Sequence, residues 1–200
     1  MSEANGHVIK PRLHHWGMRT TKLDEMVEWY GKVVGLEVVL SSAQPVPVAF
    51  VTNDEQHHRG GFFRFPGVVD HPQRGSMPGV NHLAWEYDTL GDLLDSWQRL
   101  KDMGIEPVLS TDHGPSFALY YKDPENNTVE LLCAAYDDLA KVREHMQRPD
   151  MVQNPMGRPV DPAKLIAARE QGLSLAEIHE RALAGEYVPA GPPPSPAAIA

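Results

Sequence analysis

The pattern of apolar and polar positions repeats itself within the first two thirds of this chain. Apolar residues alternate over Trp16–Arg19, then recur from Thr21 at helical spacing, and a second alternating stretch starts just after Gly35. The same order returns over residues 82–104, where His82 takes the place of His15. A period of two indicates a strand with one buried face, and a period near 3.6 indicates an amphipathic helix. Each copy is therefore predicted to begin as strand, helix, strand, so that one supersecondary unit is used twice.

The boundaries of the predicted elements follow from capping and turn residues. Thr21 and Asp88 are the predicted N-caps of the two helices, and Gly35 and Gly104 are their C-caps. The further strands are predicted at 36–42, 45–54, 57–65, 105–110, 116–122 and 128–133. Each copy thereby becomes a βαβββ module, at about 12–66 and 79–135, joined by a linker at 66–78 that is rich in Pro and Gly.

Beyond Tyr136 the pattern changes and predicts an arm rather than a third module. Helices are predicted at 138–146, 161–168 and 174–184, an irregular stretch at 148–162, and a disordered Pro-rich tail at 188–200. We therefore predict an α+β fold with one domain at 1–136, whose first residues, 1–11, form a short leader into the first strand. The arm at 137–200 would pack on that domain or on a second subunit.

Composition narrows the classes of partner. The net charge of −9 argues against nucleic acid or an anionic membrane as the main partner, and no apolar run is long enough to span a membrane. Cys133 is the single cysteine, which excludes an intrachain disulfide and a cluster of thiolate metal ligands and fits a reducing cytoplasm. The polar first ten residues give no sign of a signal peptide. The expected location is cytoplasmic.

Three residues form the candidate metal site. His15 and His82 are equivalent in the two modules, and Glu130 alternates with the apolar Val129 and Leu131, which places its carboxylate on the same predicted sheet face as the histidines. Two like modules facing each other would bring both histidines into one concavity. Two imidazoles and one carboxylate on one face bind Fe(II) and leave positions open for other ligands. The alternative is that all three are ordinary polar residues of a sheet surface.

These motifs resemble the vicinal oxygen chelate superfamily, which contains glyoxalases, bleomycin resistance proteins and dioxygenases. The module repeat, NHLAWEY and HGPSFALYYKDPENNTVEL are similar to its type I extradiol ring-cleaving dioxygenases, and the NPMG of the arm is similar to the tail of small one-domain members. The resemblance covers about residues 12–135. It implies a cup-shaped mixed sheet around a metal ion that His15, His82 and Glu130 bind. The metal would be Fe(II), with Mn(II) as an alternative that accepts the same ligands.

The resemblance also implies catalytic residues around the metal. His58 matches an acid–base histidine, although His57 beside it is an alternative. His113 matches a histidine that faces dioxygen and substrate, and Tyr120 matches a tyrosine that hydrogen-bonds a substrate oxygen, with Tyr121 as its alternative. Relatives of the glyoxalase branch add an acidic ligand from the last strand of the first module, where this chain has only the stretch 62–65, FFRF.

The implied function is oxygen-dependent cleavage of a catecholic ring next to its two hydroxyls, as in the breakdown of aromatic hydrocarbons. A small aromatic diol and O2 would be the partners, and the chain would form a homodimer or a higher homo-oligomer. Two alternatives remain open. One is another metal enzyme of the superfamily, such as an isomerase, a lyase or a thiol transferase, and the other is a resistance-type protein that sequesters a ligand.

Overall fold

The computed structural model describes residues 9–71 and 73–191. The predicted leader and Pro-rich tail lie largely outside these residues. The chain divides into two compact units, Met1–Val69 and Asp70–Ala200. Among the described helices, none is both long and apolar enough to cross a bilayer.

The first unit is a βαβββ module. Its elements are β1 (Trp16–Arg19), α1 (Leu23–Val34), β2 (Glu37–Ser42), β3 (Val48–Thr52) and β4 (Gly60–Phe63). The sheet has the strand order β1-β4-β3-β2, with β1 parallel to β4 and the other neighbours antiparallel. The buried face of α1 packs on β3 and β4 through Met26, Tyr30 and Val33. Phe62 lies in the same core beside Tyr30.

The second unit repeats this module and adds the arm. The module consists of β5 (His82–Tyr87), α2 (Leu90–Asp102), β6 (Leu109–Asp112), β7 (Ser116–Lys122) and β8 (Thr128–Ala134), and a 3-10 turn (Arg74–Ser76) precedes it. The arm contains α3 (Leu139–His145), α4 (Pro149–Gln153), β9 (Arg158–Pro159), α5 (Pro162–Glu170) and α6 (Leu175–Leu183). The strand order is β5-β8-β7-β6-β9, with β5 parallel to β8. The predicted α+β class with two βαβββ modules is confirmed.

The arm packs on its own unit through both sheet and helix contacts. Strand β9 extends the sheet beside β6, and α5 packs against α2. Arg169 of α5 donates to the Gly91 carbonyl at 3.0 Å and to Asp95 Oδ1 at 2.6 Å. The apolar side chains of Leu165 and Ile178 are buried, with only 1% and 2% of their surface exposed. The arm is thus part of the second unit, whereas a separate domain at 1–136 stays a prediction.

Several predicted boundaries were wrong by one to four residues. Strand β6 begins at Leu109 rather than at 105, because Pro107 has no N–H for a sheet hydrogen bond. Helix α2 is capped by Thr89 and not by Asp88, since the Thr89 side chain accepts from the backbone of Asp92. The stretch at 148–162 is more regular than predicted, because it contains α4 and β9. The left-handed glycines Gly35 and Gly104 follow the two helices as predicted.

Candidate functional site

The second unit gathers four of the six predicted site residues on one face of its sheet. Strands β5 and β8 are parallel, and their register sets Ala84 beside Glu130. His82 lies two residues before Ala84 and therefore on the same face. Its Nε2 is 3.0 Å from Glu130 Oε2. Strand β7 pairs Tyr120 with Glu130 from the other side.

Tyr120 links Glu130 to His113. The Tyr120 hydroxyl donates to Glu130 Oε1 at 2.7 Å, and the hydroxyl oxygen of Tyr120 lies 2.9 Å from His113 Nε2. His113 Nε2 is itself 4.0 Å from Glu130 Oε1. Tyr121 faces the other side of the sheet, since side chains alternate along a strand, and it is fully buried. Of the two tyrosines, Tyr120 is therefore the one on the face of Glu130.

Burial determines the protonation states of Tyr120 and His113. It raises the pKa of Tyr120, and the hydrogen bond and negative charge of Glu130 raise it further. Burial also lowers the pKa of His113, against the opposing effects of the Glu130 charge and the backbone groups of Pro155 and Met156. Tyr120 is thereby kept as a neutral hydrogen-bond donor and His113 as a neutral imidazole that can accept a proton.

The other ring nitrogen of His82 also has a defined partner. Its Nδ1 lies 2.7 Å from Oδ1 of Asn81. An amide oxygen only accepts hydrogen bonds, so the proton of the imidazole belongs on Nδ1. With its proton on Nδ1, His82 would offer the lone pair of Nε2 to a metal ion placed between it and Glu130, as a metal ligand requires. Sequence reasoning missed Asn81, although it precedes His82 in the motif that carried the resemblance.

The spacing of these donor atoms fits a shared metal ion. Two ligands at right angles, each about 2.1 Å from the same ion, lie about 3.0 Å apart. The separation of 3.0 Å between His82 Nε2 and Glu130 Oε2 matches that value. An imidazole nitrogen and a carboxylate oxygen are also donors that Fe(II) and Mn(II) accept. Within either unit, the described residues contain no arranged set of three or more His, Cys, Asp or Glu side chains that could hold a metal.

The first unit places His15 in a cluster of histidines. The rings of His15 and His58 are 4.5 Å apart, and those of His14 and His57 are 4.8 Å apart. His15 Nδ1 lies 3.0 Å from His14 Nδ1, and His58 Nδ1 lies 2.6 Å from His57 Nδ1. Partial burial lowers the pKa of His58, and the charges of the other three rings lower it further.

The register of the first unit identifies the counterparts of the residues around Glu130. Gly17 pairs with Gly61 as Ala84 pairs with Glu130, and Phe50 pairs with Gly61 as Tyr120 pairs with Glu130. The sequence prediction had put this position at 62–65, one residue too late. The position of an additional acidic ligand is thus taken by a glycine without a side chain. A Cβ on Gly61 would lie only 2.9 Å from the Phe63 ring.

Comparison with known proteins gives relatives along nearly the whole chain. The profile of the Glyoxalase/Bleomycin resistance protein/Dioxygenase superfamily matches residues 12–131. Biphenyl-2,3-diol 1,2-dioxygenase 3 from Rhodococcus globerulus is 34% identical over 176 residues, which are 88% of this chain and 91% of that protein. Biphenyl-2,3-diol 1,2-dioxygenase 2 from the same organism is 34% identical over 184 residues, which are 92% of this chain and 95% of that protein.

Solved structures share the fold at lower identity. A glyoxylase/bleomycin resistance protein/dioxygenase domain from Frankia sp. EAN1pec aligns with a TM-score of 0.56 and 15% identity, over 70% of this chain and 100% of that one. The fosfomycin resistance protein FosX from Listeria monocytogenes aligns with a TM-score of 0.51 and 15% identity, again over 70% of this chain and 100% of that one. At this identity the likeness concerns the fold alone.

Proposed function

Because the chain belongs to the Glyoxalase/Bleomycin resistance protein/Dioxygenase superfamily, we propose that it is an extradiol dioxygenase that cleaves a catecholic ring beside its two hydroxyls. The predicted superfamily and its extradiol dioxygenase branch are confirmed by the comparisons. The names of the two relatives describe a diol at ring positions 2 and 3 and attack at positions 1 and 2. The bond that breaks thus lies outside the diol. The substrates would be a small aromatic diol and O2.

Dioxygenases of this branch depend on a metal, and we propose that His15, His82 and Glu130 hold Fe(II) or Mn(II) here. The support is the 3.0 Å spacing of the His82 and Glu130 donor atoms and the hydrogen bond that orients His82. Such a metal, when bound, would supply Lewis-acid stabilisation of the charge that develops on the substrate oxygens. His15 would supply the third ligand from the equivalent position of the first module.

The single observation that carries the proposed reaction is the line formed by His113, Tyr120 and Glu130. A diol must lose a hydroxyl proton before both oxygens can act as strong ligands, and we assign this proton to the buried imidazole of His113, whose lowered pKa favours the neutral form. The same ring can return the proton when the substrate ring opens. Tyr120 keeps its own proton and donates a hydrogen bond, first to Glu130 and then to a substrate oxygen placed beside it.

We propose a second acid–base group in the first module. His58 stands next to His15, and its lowered pKa favours the neutral, proton-accepting form. His57 is in contact with His58, with ring centroids 4.4 Å apart, and is the alternative for this role. The ring of Phe50 lies 4.9 Å from that of His58 and gives it an apolar neighbour. A two-histidine arrangement would let one group remove a substrate proton while the other protonates an oxygen.

The test is oxygen uptake by the full-length chain after anaerobic loading with Fe(II) or with Mn(II). We expect one O2 consumed per biphenyl-2,3-diol, with a coloured ring-opened product. Glu130→Gln and His82→Ala should lose bound metal and lower turnover by about 100-fold or more. The control Glu180→Gln makes the same change at an exposed position of α6 and should alter neither.

The outcomes separate the reaction from the site. A metal-loaded chain that consumes no O2 with any of a panel of catechols would contradict the dioxygenase and favour an oxygen-independent enzyme. A chain that binds the diol without metal or turnover would be a sequestering protein. Oxygen uptake that survives in both Glu130→Gln and His82→Ala would instead overturn the ligand assignment alone.

A further inference from the structure

Lys122 lies at the end of β7, on the sheet face that carries the candidate ligands of the second unit. The register of the sheet pairs Lys122 with Thr128 of β8, and Thr128 with His82 of β5. Residues that pair directly across neighbouring strands have their side chains on the same face of the sheet. Lys122, Thr128 and His82 therefore form one row of side chains across the three strands.

The neighbouring row on this face contains Glu130 and the tyrosine that donates to it. Its members are Ala84, Glu130 and Tyr120, and each lies two residues along its strand from a member of the first row. Side chains two residues apart on one strand are about 7 Å apart, and neighbouring strands are about 5 Å apart. The row of Lys122 thus borders the row of Glu130.

A hydrogen bond holds the ammonium group of Lys122 over this face. Lys122 Nζ donates to Thr128 Oγ1 at 2.8 Å. Thr128 is only 4% exposed, and Lys122 is half-buried. A lysine that extends into solvent has its charge screened by water and salt. The bond to a buried hydroxyl instead keeps this charge within about 10 Å of the donor atoms of His82 and Glu130.

The other charged groups near Lys122 belong to the loop that follows it and to the site itself. The carboxylate of Asp123 accepts from the backbone N–H groups of Glu125 and Asn127, at 2.9 Å and 2.8 Å. Glu125 forms an ion pair with Arg74 at 3.2 Å. Asp123 therefore offsets part of the Lys122 charge, whereas Glu125 is neutralised by its own partner. On the sheet face the titratable neighbours are His82, His113, Tyr120 and Glu130.

From this placement we propose that Lys122 is a charge-stabilising residue that favours the anionic form of the diol in the site. The inference rests on the proposed function, because it concerns the hydroxyl proton that the diol loses there. The O–H bond of the diol breaks and its proton passes to the imidazole of His113, while Lys122 exchanges no proton and acts through its charge. A positive charge at about 8 Å, with an effective dielectric constant of about 20, favours such a proton loss by roughly 30-fold, and the offset by Asp123 reduces this to about 10-fold.

The first experiment is the pH dependence of kcat/KM for biphenyl-2,3-diol in wild type, Lys122→Met and Lys122→Arg. Methionine keeps an apolar stem of similar length and removes the charge, whereas arginine keeps the charge. Without the charge the diol loses its proton less readily. The acid limb of the profile should therefore move to higher pH by about one pH unit in Lys122→Met, with kcat/KM below that limb about 10-fold lower. Lys122→Arg should keep a profile near that of wild type.

Lys101→Met is the matched control, because it removes the same charge from α2, a different element of the same unit. Lys101 is exposed, with its Nζ 4.7 Å from the centre of the Trp97 ring. Its pH profile should equal that of wild type. Thr128→Val removes the hydroxyl that holds the ammonium group and should move the acid limb in the same direction as Lys122→Met, but less. It is the second variant if Lys122→Met does not fold.

The second readout is the ultraviolet absorbance of biphenyl-2,3-diol bound without oxygen to the metal-loaded, full-length chain. An aromatic diol absorbs at longer wavelength once it has lost a hydroxyl proton, so a pH titration measures the anionic fraction without turnover. The bound diol should become anionic at a pH about one pH unit lower in wild type than in Lys122→Met. Metal content should be equal in the two chains.

Three results would overturn the inference. One is a folded Lys122→Met chain whose acid limb and diol titration equal those of wild type. Another is an equal shift in Lys101→Met, which would show an effect of net charge alone. The third is a Lys122→Arg chain that behaves as Lys122→Met does, which would show that packing and not charge matters. If wild type consumes no oxygen, the proposed function fails, yet the absorbance titration of the bound diol still decides whether Lys122 favours its anionic form.

Discussion

At the scale of single residues, Asp112 and His179 form an unusual buried pair. Asp112 Oδ2 and His179 Nε2 lie 3.7 Å apart, and neither atom has another hydrogen-bond partner in the described part of the chain. The residues are 1% and 4% exposed. Two facing polar atoms without partners are costly in an interior unless one proton is shared between them.

The electrostatics of each residue taken alone support a shared proton. Burial raises the pKa of Asp112 to about 7, against the Gly114 N–H and the Arg158 charge. Burial lowers the pKa of His179 to about 4, and the charges of His145 and Arg148 act on it as well. A carboxylic acid that donates to a neutral imidazole, or the ion pair that results from proton transfer, holds the same proton and no net charge.

Opposite pH dependences are therefore expected when either partner is removed. Asp112→Asn leaves His179, whose folded pKa is below the ordinary 6.5, so the free energy of unfolding should fall as pH falls from about 6.5 to 4. His179→Gln leaves Asp112, whose folded pKa is above 3.8, so the free energy of unfolding should fall as pH rises from about 4 to 7. Each slope is at most about 1.4 kcal/mol per pH unit.

Denaturant unfolding at several pH values between 4 and 7.5 measures these slopes. In wild type the two contributions have opposite signs over the same pH range and should largely cancel. All other titrating groups are common to the three proteins, so differences between the three stability curves come from Asp112 and His179. Parallel curves would show that neither Asp112 nor His179 has a shifted pKa in the folded chain and would contradict this prediction.

At this scale the sequence predicted the sheet face of Glu130, but not the partners of its carboxylate. Alternation along β8 was enough to predict that the Glu130 side chain lies on the sheet face opposite to Val129 and Leu131. The hydrogen bonds of the Thr111 hydroxyl to the Met156 and Arg158 carbonyls could not be predicted, because they join segments that no period relates. The choice between Tyr120 and Tyr121 needed the register of β7 against β8.

At the scale of elements, the two modules keep one architecture and differ in chemistry. The strand orders β1-β4-β3-β2 and β5-β8-β7-β6 are equivalent. The histidine that starts this pattern is present in both copies, whereas the Tyr120 and Glu130 positions of the second copy are Phe50 and Gly61 in the first. The duplicated scaffold was predictable from apolar spacing. Its functional asymmetry depends on single residues and on strand register.

The N-cap of α2 is Thr89 in the structure, and this assignment can be tested by substitution. Thr89 Oγ1 accepts from the Asp92 backbone N–H at 3.1 Å, and Asp88 makes no cap bond in the described structure. Thr89→Ala should therefore lower the free energy of unfolding by about 1 kcal/mol. Asp88→Ala is the matched control and should cost clearly less.

The two variants distinguish Thr89, the N-cap in the structure, from Asp88, the N-cap that the sequence pattern predicted. Both residues are of types that cap helices, and they are adjacent, so the pattern alone predicted the wrong one of the two. Equilibrium denaturation of the two alanine variants beside wild type is the measurement. A larger loss for Asp88→Ala than for Thr89→Ala would restore the cap that the sequence predicted.

At the scale of the whole molecule, the sequence predicted two modules and an arm but not where the arm packs. Helical periods predicted α3, α5 and α6 to within about two residues. The two-residue strand β9 is too short for any period to predict, yet it joins the arm to the sheet beside the His113 loop. The division into Met1–Val69 and Asp70–Ala200 puts that arm and the second module in one compact unit.

The net charge of −9 leads to a prediction about substrates. A negative overall potential lowers the local concentration of anions and leaves neutral molecules unaffected, and salt screens it within about 10 Å at 0.1 M. For neutral biphenyl-2,3-diol, kcat/KM should stay constant between low and moderate salt. For a catechol that carries a carboxylate, kcat/KM should rise by about two- to five-fold over the same range as repulsion is screened. Initial rates of oxygen uptake at several salt concentrations measure both. A carboxylated catechol whose kcat/KM instead falls with salt would show that positive residues around the site outweigh the charge of the whole chain.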